Sequence, residues 1–216
     1  MLERMDLFFE ARLSDYDEHM LRDIEGAREF YPYTASQLPR EAGTQVLDLG
    51  CGTGLELEWY FQFAPEARVT GIDLSEGMLE ALRRKFSHKD LTLIRGSYFE
   101  VPLGEEVYDA AVSVESLHHF TKEEKMGLYR RLHRALKEGG SFILTDYLAD
   151  TDAQERLYRQ ELLQLKAEQG LGNDVFYHYD TPLTWVREME TLREAGFREV
   201  MDLKRWGATH CIRATK

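Results

Sequence analysis

An acid, three closely spaced glycines and a second acid make the strongest chemical pattern in this chain. The stretch VLDLGCGTGLE, Val46 to Glu56, opens as an apolar strand with Asp48 near its end. It then places Gly50, Gly52 and Gly54 within five residues. Glycine lacks Cβ and tolerates positive φ, so the backbone turns sharply there and comes close to a ligand. The helical run LELEWYFQF follows at once, and the first turn of a helix presents N–H groups with no partner inside it. In an open α/β sheet, a loop of this kind at the C-terminal edge of a strand is where a small polar ligand binds. The next strand-like run, RVTGIDLS, carries Asp73 about 20 residues further on. A carboxylate at that distance suits a ribose with free hydroxyls, because it accepts two O–H hydrogen bonds. The spacing is not that of a dinucleotide fingerprint, since the third glycine comes one residue early, and there is no Gly-Lys-Ser/Thr phosphate loop.

Asp48-x-Gly50-x-Gly52-x-Gly54, with Asp73 closing the second strand, resembles the class I S-adenosylmethionine-dependent methyltransferases of small-molecule type. The resemblance runs from about Gln45 to Lys216. It implies S-adenosylmethionine as cofactor and S-adenosylhomocysteine as product. Asp48 would brace the loop, Gly50, Cys51, Gly52 and Gly54 would meet the amino-acid part of the cofactor, and Asp73 would hold the ribose. Leu74, Met78, Ser97, Tyr98 and Val114 fall at the family's remaining cofactor positions. At Ser97 the family often carries an acid for the adenine amino group, so here that contact would be weaker or come from the Tyr98 backbone. Tyr16 and Asp17 resemble the Tyr-Asp pair near the start of many small-molecule methyltransferases, where an N-terminal helix covers the cofactor. The exit of the fourth strand, in YDAAVSVESLHHF, would lie beside the transferred methyl, which makes Glu115, His118 and His119 the catalytic candidates. A histidine near neutral pKa can take a proton from a substrate hydroxyl or amine. No zinc-ligand spacing is present, so no metal is expected.

These residues need a scaffold, and the sequence alternates strand and helix. Strands are expected at Gln45–Leu49, Arg68–Ile72, Leu91–Arg95, Tyr108–Val114, Ser141–Tyr147, Glu199–Lys204 and Thr209–Ala214. Helices are expected at Ser75–Phe86, at Lys122–Lys137 (opened by a Thr121-x-x-Glu124 capping box and closed by Gly139-Gly140), and at Pro182–Glu194 with Thr181 as cap. The fold class is therefore α/β: a Rossmann-like, seven-stranded, mostly parallel sheet with a C-terminal antiparallel hairpin and helices on both faces. Residues 1–39 read as an N-terminal helical segment and candidate lid, with Met20, Leu21, Ile24 and Ala27 at helical spacing. Residues 40–216 read as the main domain, with a helical insertion at about 149–180. That insertion carries an amphipathic run, Ala153–Gln169, and an aromatic cluster. Phe176, Tyr177, His178 and Tyr179, with Tyr147 at the end of the fifth strand, are the candidate substrate-pocket residues, since such rings offer apolar faces and polar tips.

Composition narrows the function. The 216 residues carry a net charge of −12, which argues against nucleic acid as a partner. No apolar run reaches the length of a membrane span. Two cysteines and a charged start without a signal-peptide core suggest a reducing cytoplasm. The expected activity is methyl transfer to an O, N or C nucleophile of a small molecule, by a monomer or homodimer. The alternatives are a tRNA or protein methyltransferase and a non-catalytic cofactor-binding protein. A basic stretch at Arg130, Arg131, His133, Arg134 and Lys137 would serve RNA, but it reads as a solvated helix side.

Overall fold

The computed structural model describes residues 1–172 and 175–216; positions 173 and 174 of the insertion lie outside the described residues. Seven strands form one sheet in the order β3-β2-β1-β4-β5-β7-β6. They are β1 (Gln45–Leu49), β2 (Arg68–Asp73), β3 (Asp90–Arg95), β4 (Tyr108–Val114), β5 (Leu136–Tyr147), β6 (Glu199–Trp206) and β7 (Thr209–Thr215). The first five pair in parallel, and β7 runs antiparallel to both β5 and β6. This is the expected architecture. The strand order reverses between β1 and β4, and the exits of those two central strands face the same edge of the sheet.

Alternation along the strands builds two cores. Leu47, Leu49, Ala111, Phe142 and Leu144 point to one side, where α6 (Lys122–Ala135) and α8 (Trp185–Glu194) pack. Val46, Val112 and Ile143 point to the other, against α3 (Ala27–Ser36), α4 (Leu55–Phe63) and α5 (Glu76–Lys85). Two further helices, α1 (Met5–Arg12) and α2 (Tyr16–Asp23), precede α3, and α7 (Asp152–Gln169) stands in the insertion. The helices of the first 39 residues share both cores: Met5 joins the first, and Met20, Phe30 and Tyr31 join the second.

Three local expectations change. The N-terminal periodicity does not make one helix through residues 20–27, because Ile24 is extended and Gly26 takes φ +79° ahead of α3. The helix after Thr121 keeps its capping box but stops at Ala135. Leu136 already belongs to β5, so the Gly139-Gly140 pair lies inside a strand and does not close a helix. The last helix begins at Trp185 with Thr184 in the cap position, beyond Pro182, while Thr181 donates its backbone N–H to the His118 carbonyl at 2.8 Å.

One buried polar cluster ties the first core together. Lys125 and Glu188 are both fully buried, with Nζ and Oε2 2.6 Å apart, and Tyr129 donates its hydroxyl to the other Glu188 oxygen. Cutting away one member leaves a desolvated charge without a partner. Glu188→Ala is therefore expected to lower unfolding free energy by about 3–5 kcal/mol, measured by urea titration with an unchanged slope. A loss below 1 kcal/mol, within the range of an exposed pair, would show that α6 and α8 do not depend on this cluster.

Candidate active site

The glycine loop leaves β1 through three left-handed residues: Gly50 at φ +71°, Gly52 at +48° and Gly54 at +76°. At Gly50 the requirement is steric as well as conformational, since a Cβ there would lie 2.2 Å from Ser116 Oγ at the β4 exit. Gly52 donates its N–H to Asp73 Oδ2 at 2.9 Å, and Ser75 donates its N–H to Asp73 Oδ1 at 2.9 Å. These bonds orient the carboxylate and leave each oxygen further acceptor capacity. Burial raises the Asp73 pKa, and the two backbone donors oppose that rise. Behind the loop Asp48 and Glu56 are buried together; Asp48 Oδ2 and Glu56 Oε1 have no hydrogen-bond partner. Burial, reinforced by the neighbouring Glu56, lifts Asp48 well above the carboxylate range.

Tyr16, Gly50, Gly52, Asp73, Leu74, Met78 and Tyr98 line one narrow cleft, together with Glu115 and His119. Other expected cofactor residues stand around it. The Cys51 side chain turns toward Gly71 on β2, Gly54 caps α4, and Val114 is buried at the end of β4. Ser97 is buried and accepts the Phe99 N–H at 3.2 Å. Met5, Phe9 and Ser116 complete the cleft. No local motif in the sequence marks these three residues.

Beside the cleft lies a much larger cavity of about 1000 Å³. Phe9, Tyr16, Glu115 and His119 belong to both. Tyr147 and His178 line the cavity, as do His118, Asp180, Trp206 and Thr209. The other three aromatic candidates stand elsewhere for stated reasons. Phe176 packs between Phe99 and Phe120, Tyr177 bridges to Arg4, and the Tyr179 hydroxyl donates to Glu161 at 2.7 Å.

The polar groups at the junction perturb one another. Glu115 takes φ +48°, rare for a residue with a side chain, and burial pushes its carboxyl up to about 7. Burial would lower His118, but Asp146, 2.6 Å from its Nδ1, together with Glu115 and Asp180 carries it up to about 9. Burial and the His118 charge lower His119, and burial with His119 pushes His178 down to about 4.

Two segments, the candidate cover, meet beside the site. The Arg4–Tyr177 bridge is flanked by Met5 N–H donating to the Phe176 carbonyl and His178 N–H to the Glu3 carbonyl, both at 3.0 Å. The N-terminus and the insertion are thus zipped to each other. Below, Glu10 accepts from Ser75 Oγ at 2.7 Å and from Gly77 N–H at 3.2 Å, at the start of α5. Asp17 accepts from Thr53 and pairs with Lys85 at 2.9 Å.

Known proteins share this layout. The model of a methyltransferase domain matches residues 46–140. A methyltransferase of Bacillus subtilis with no assigned substrate is 31% identical over 121 residues, 56% of this chain and 66% of that protein. Demethylmenaquinone methyltransferase of Symbiobacterium thermophilum is 36% identical over 47% of this chain and 41% of its own. Among solved structures, human N-acetylserotonin methyltransferase in complex with its cofactor overlays with a TM-score of 0.64 at 20% identity, covering 97% of this chain and 55% of that one. The chain belongs to the class I S-adenosylmethionine-dependent methyltransferases. It spans about two thirds or less of the length of these curated relatives.

The residues fit the cofactor of a methyltransferase. Asp73 is pre-oriented with acceptor capacity to spare, the loop backbone is bare of side chains, and two carboxylate oxygens behind it are unpartnered. Asp73→Ala is expected to weaken S-adenosylhomocysteine binding by about 1.5–3 kcal/mol for each charge-assisted hydrogen bond lost, with the thermal unfolding midpoint nearly unchanged. Calorimetry showing parental affinity in the variant would remove Asp73 from the ribose role.

Proposed function

We propose that this protein transfers the methyl group of S-adenosylmethionine to an O, N or C nucleophile of a small molecule held in the large cavity. One observation carries the reading: the cofactor cleft and the cavity meet at Phe9, Tyr16, Glu115 and His119. A ligand in each would touch the same four side chains.

Bound S-adenosylmethionine supplies a methyl on a positively charged sulfur, so no enzyme nucleophile is needed. The residues do the rest by placement. Asp73 takes the ribose hydroxyls, and the backbone of Gly50 and Gly52 lies against the amino-acid portion. Asp48 and Glu56 brace the loop from behind. Tyr16 lies over Gly52, where a Cβ would be 3.8 Å from its ring. Glu115, His118 and His119 are the polar side chains that face the acceptor, with Tyr147 and His178 along the cavity wall. The zipped cover of α1, α2 and the insertion keeps water from the junction.

A small acceptor suits a cavity lined by α1 and α2, and a net charge of −12 argues against nucleic acid as the acceptor. Both cysteines are free and buried, which suits a reducing cytoplasm. Among the described residues no helix is long and apolar enough to cross a membrane.

Titration with S-adenosylmethionine or S-adenosylhomocysteine is expected to give a dissociation constant in the low-micromolar range or tighter, about 8 kcal/mol. Labelled methyl should then pass to a small-molecule fraction and not to RNA or protein. Absence of heat with either ligand would end the reading, and label on macromolecules alone would end its small-molecule part.

The cover gives a second check. Only Met5 of α1 and Met20 of α2 are fully buried, with Phe9, Tyr16 and Leu21 half-buried beside them, so both helices bury less apolar surface than α3. Such elements open locally at low cost. Amides in residues 5–23 and 176–180 are expected to gain protection from hydrogen exchange when S-adenosylhomocysteine binds. Protection confined to the glycine loop and Asp73 would reduce these segments to ordinary packing.

A further inference from the structure

His118 and His119 stand side by side in the short 3-10 turn after β4, with ring centroids 4.0 Å apart, and both are buried. The carboxylate of Asp180 reaches them from the loop ahead of α8. Its Oδ1 is 3.1 Å from His119 Nδ1 and 3.6 Å from His118 Nε2. The three atoms all lie within 4.8 Å of one another. Donors about 2.1 Å from a common ion stand about 3.0 Å apart at right angles and about 3.4 Å apart at tetrahedral angles. The two nitrogen–oxygen separations fall close to that range.

His118 is oriented from behind. Its Nδ1 is 2.6 Å from Asp146 Oδ1, and Asp146 in turn accepts the backbone N–H of Leu117 at 2.8 Å and of Tyr147 at 3.0 Å. With Nδ1 donating to Asp146, Nε2 is the nitrogen on the side of Asp180, and an ion bound there would take the place of its proton. A carboxylate behind the far nitrogen is the arrangement that fixes the tautomer of metal-bound histidines. Asp146, engaged through both oxygens, is the orienting group and not a ligand. The loop that carries Asp180 is tied to the turn by the Thr181 N–H, which donates to the His118 carbonyl at 2.8 Å. The open side of the cluster is the large cavity, which His118, His119 and Asp180 all line.

We propose that His118 Nε2, His119 Nδ1 and Asp180 Oδ1 bind a divalent transition-metal ion in the wall of the acceptor cavity. Two imidazoles and one carboxylate suit zinc, cobalt, iron or manganese in the divalent state; magnesium and calcium prefer all-oxygen sets. Three protein donors leave at least one coordination position, and here it faces the cavity, within reach of a water or an oxygen donor on a small molecule. The spacing hides this site from the sequence, because two ligands are adjacent and the third comes from a distant loop.

The test uses the full-length protein, stripped with a chelator, desalted and titrated with cobalt(II) chloride without cofactor or acceptor. Visible d–d bands of a bound cobalt ion are expected, saturating at one ion per chain and bleached by zinc. His119→Ala and Asp180→Ala should abolish them. Asp146→Asn should weaken cobalt affinity 10–100-fold, the effect of losing an orienting partner. Zinc should raise the unfolding temperature of the parent and not of Asp180→Ala, and circular dichroism establishes that each variant is folded. Bands absent from the parent, or persisting in a folded His119→Ala/Asp180→Ala double variant, would overturn the proposal and leave a plain imidazole–carboxylate hydrogen-bond network. Because the readout involves neither cofactor nor methyl transfer, its failure would leave the proposed reaction standing.

Discussion

The site depends on how closely two strand exits approach each other. β1 and β4 are parallel neighbours at the point where the strand order reverses, and their outgoing turns meet where Gly50 packs against Ser116. A side chain at Gly50 would collide with Ser116 Oγ, so the two turns can lie this close only if one of them is bare. That contact sets the glycine loop, the candidate cofactor cradle, directly beside the Glu115–His119 turn, the proposed acceptor side. The price is backbone strain at Glu115, where φ is +48°; a left-handed non-glycine residue costs about 1–3 kcal/mol. Two bonds hold it there: its N–H donates to the Thr145 carbonyl at 2.8 Å, and Thr209 donates its hydroxyl to Oε1 at 3.0 Å. The C-terminal hairpin thus supports a strained residue at the junction through β7.

The cover follows from a different balance of forces. α3 is anchored by apolar burial, with Ala27, Phe30, Tyr31, Thr34 and Ala35 inside. α1 and α2 fully bury one methionine each; Phe9, Tyr16 and Leu21 pack half-buried against the cores, and polar contacts join Glu10 to the start of α5 and Asp17 to Thr53 and Lys85. Gly77 must be bare for this, since a Cβ would lie 2.7 Å from Glu10 Oε1. Both latches grip the elements that follow β1 and β2, the same elements that carry the glycine loop and Asp73. The latches thus tie α1 and α2 to the glycine-loop side, and the zip at residues 3–5 and 176–178 ties the N-terminus to the insertion.

The sheet was legible in the sequence because strand periodicity and the glycine turn are local signals. β1 and β4 have the bounds that their apolar runs predict, and the capping box at Thr121 is present. Ends were less legible where a tertiary partner decides them. β5 reaches back to Leu136 because Tyr108 of β4 pairs with it, overriding the helical periodicity up to Lys137. The cofactor candidates were local for the same reason as the sheet: Asp48, the glycines and Asp73 lie in two consecutive strand exits, and the structure brings Gly50, Gly52 and Asp73 to one cleft. The acceptor side was only half readable. Glu115, His118 and His119 sit in one local stretch, but Asp146 and Asp180 reach them through the sheet and a long loop, and nothing in their neighbours announces it. Aromatic content located the insertion loop correctly, yet it could not separate His178 and Tyr147, which line the cavity, from Phe176, which packs against Phe99 and Phe120.

A small group of acids stands buried or half-buried in the same place. Among the described residues, Asp48, Glu56, Asp73 and Glu115 form no ion pair with lysine or arginine, although Lys85 stands nearby with Asp17 and Glu58. Burial raises all four carboxyls. Desolvated carboxylates without fixed cations favour a positively charged ligand, and the cofactor of this family carries both an ammonium and a sulfonium. The two charges place different demands on the site. The ammonium persists through the reaction, so a carboxylate near it lowers the energy of every state alike. The sulfonium charge disappears when the methyl leaves, and an ionised carboxylate close to it would stabilise the reactant more than the transition state. A carboxyl at the methyl junction that burial holds at about 7, as at Glu115, carries less negative charge near neutrality than an ordinary glutamate. If Glu115 stands beside the transferred methyl, as in the proposed function, its burial against the β7 hairpin lessens the electrostatic penalty on transfer while keeping a polar group there.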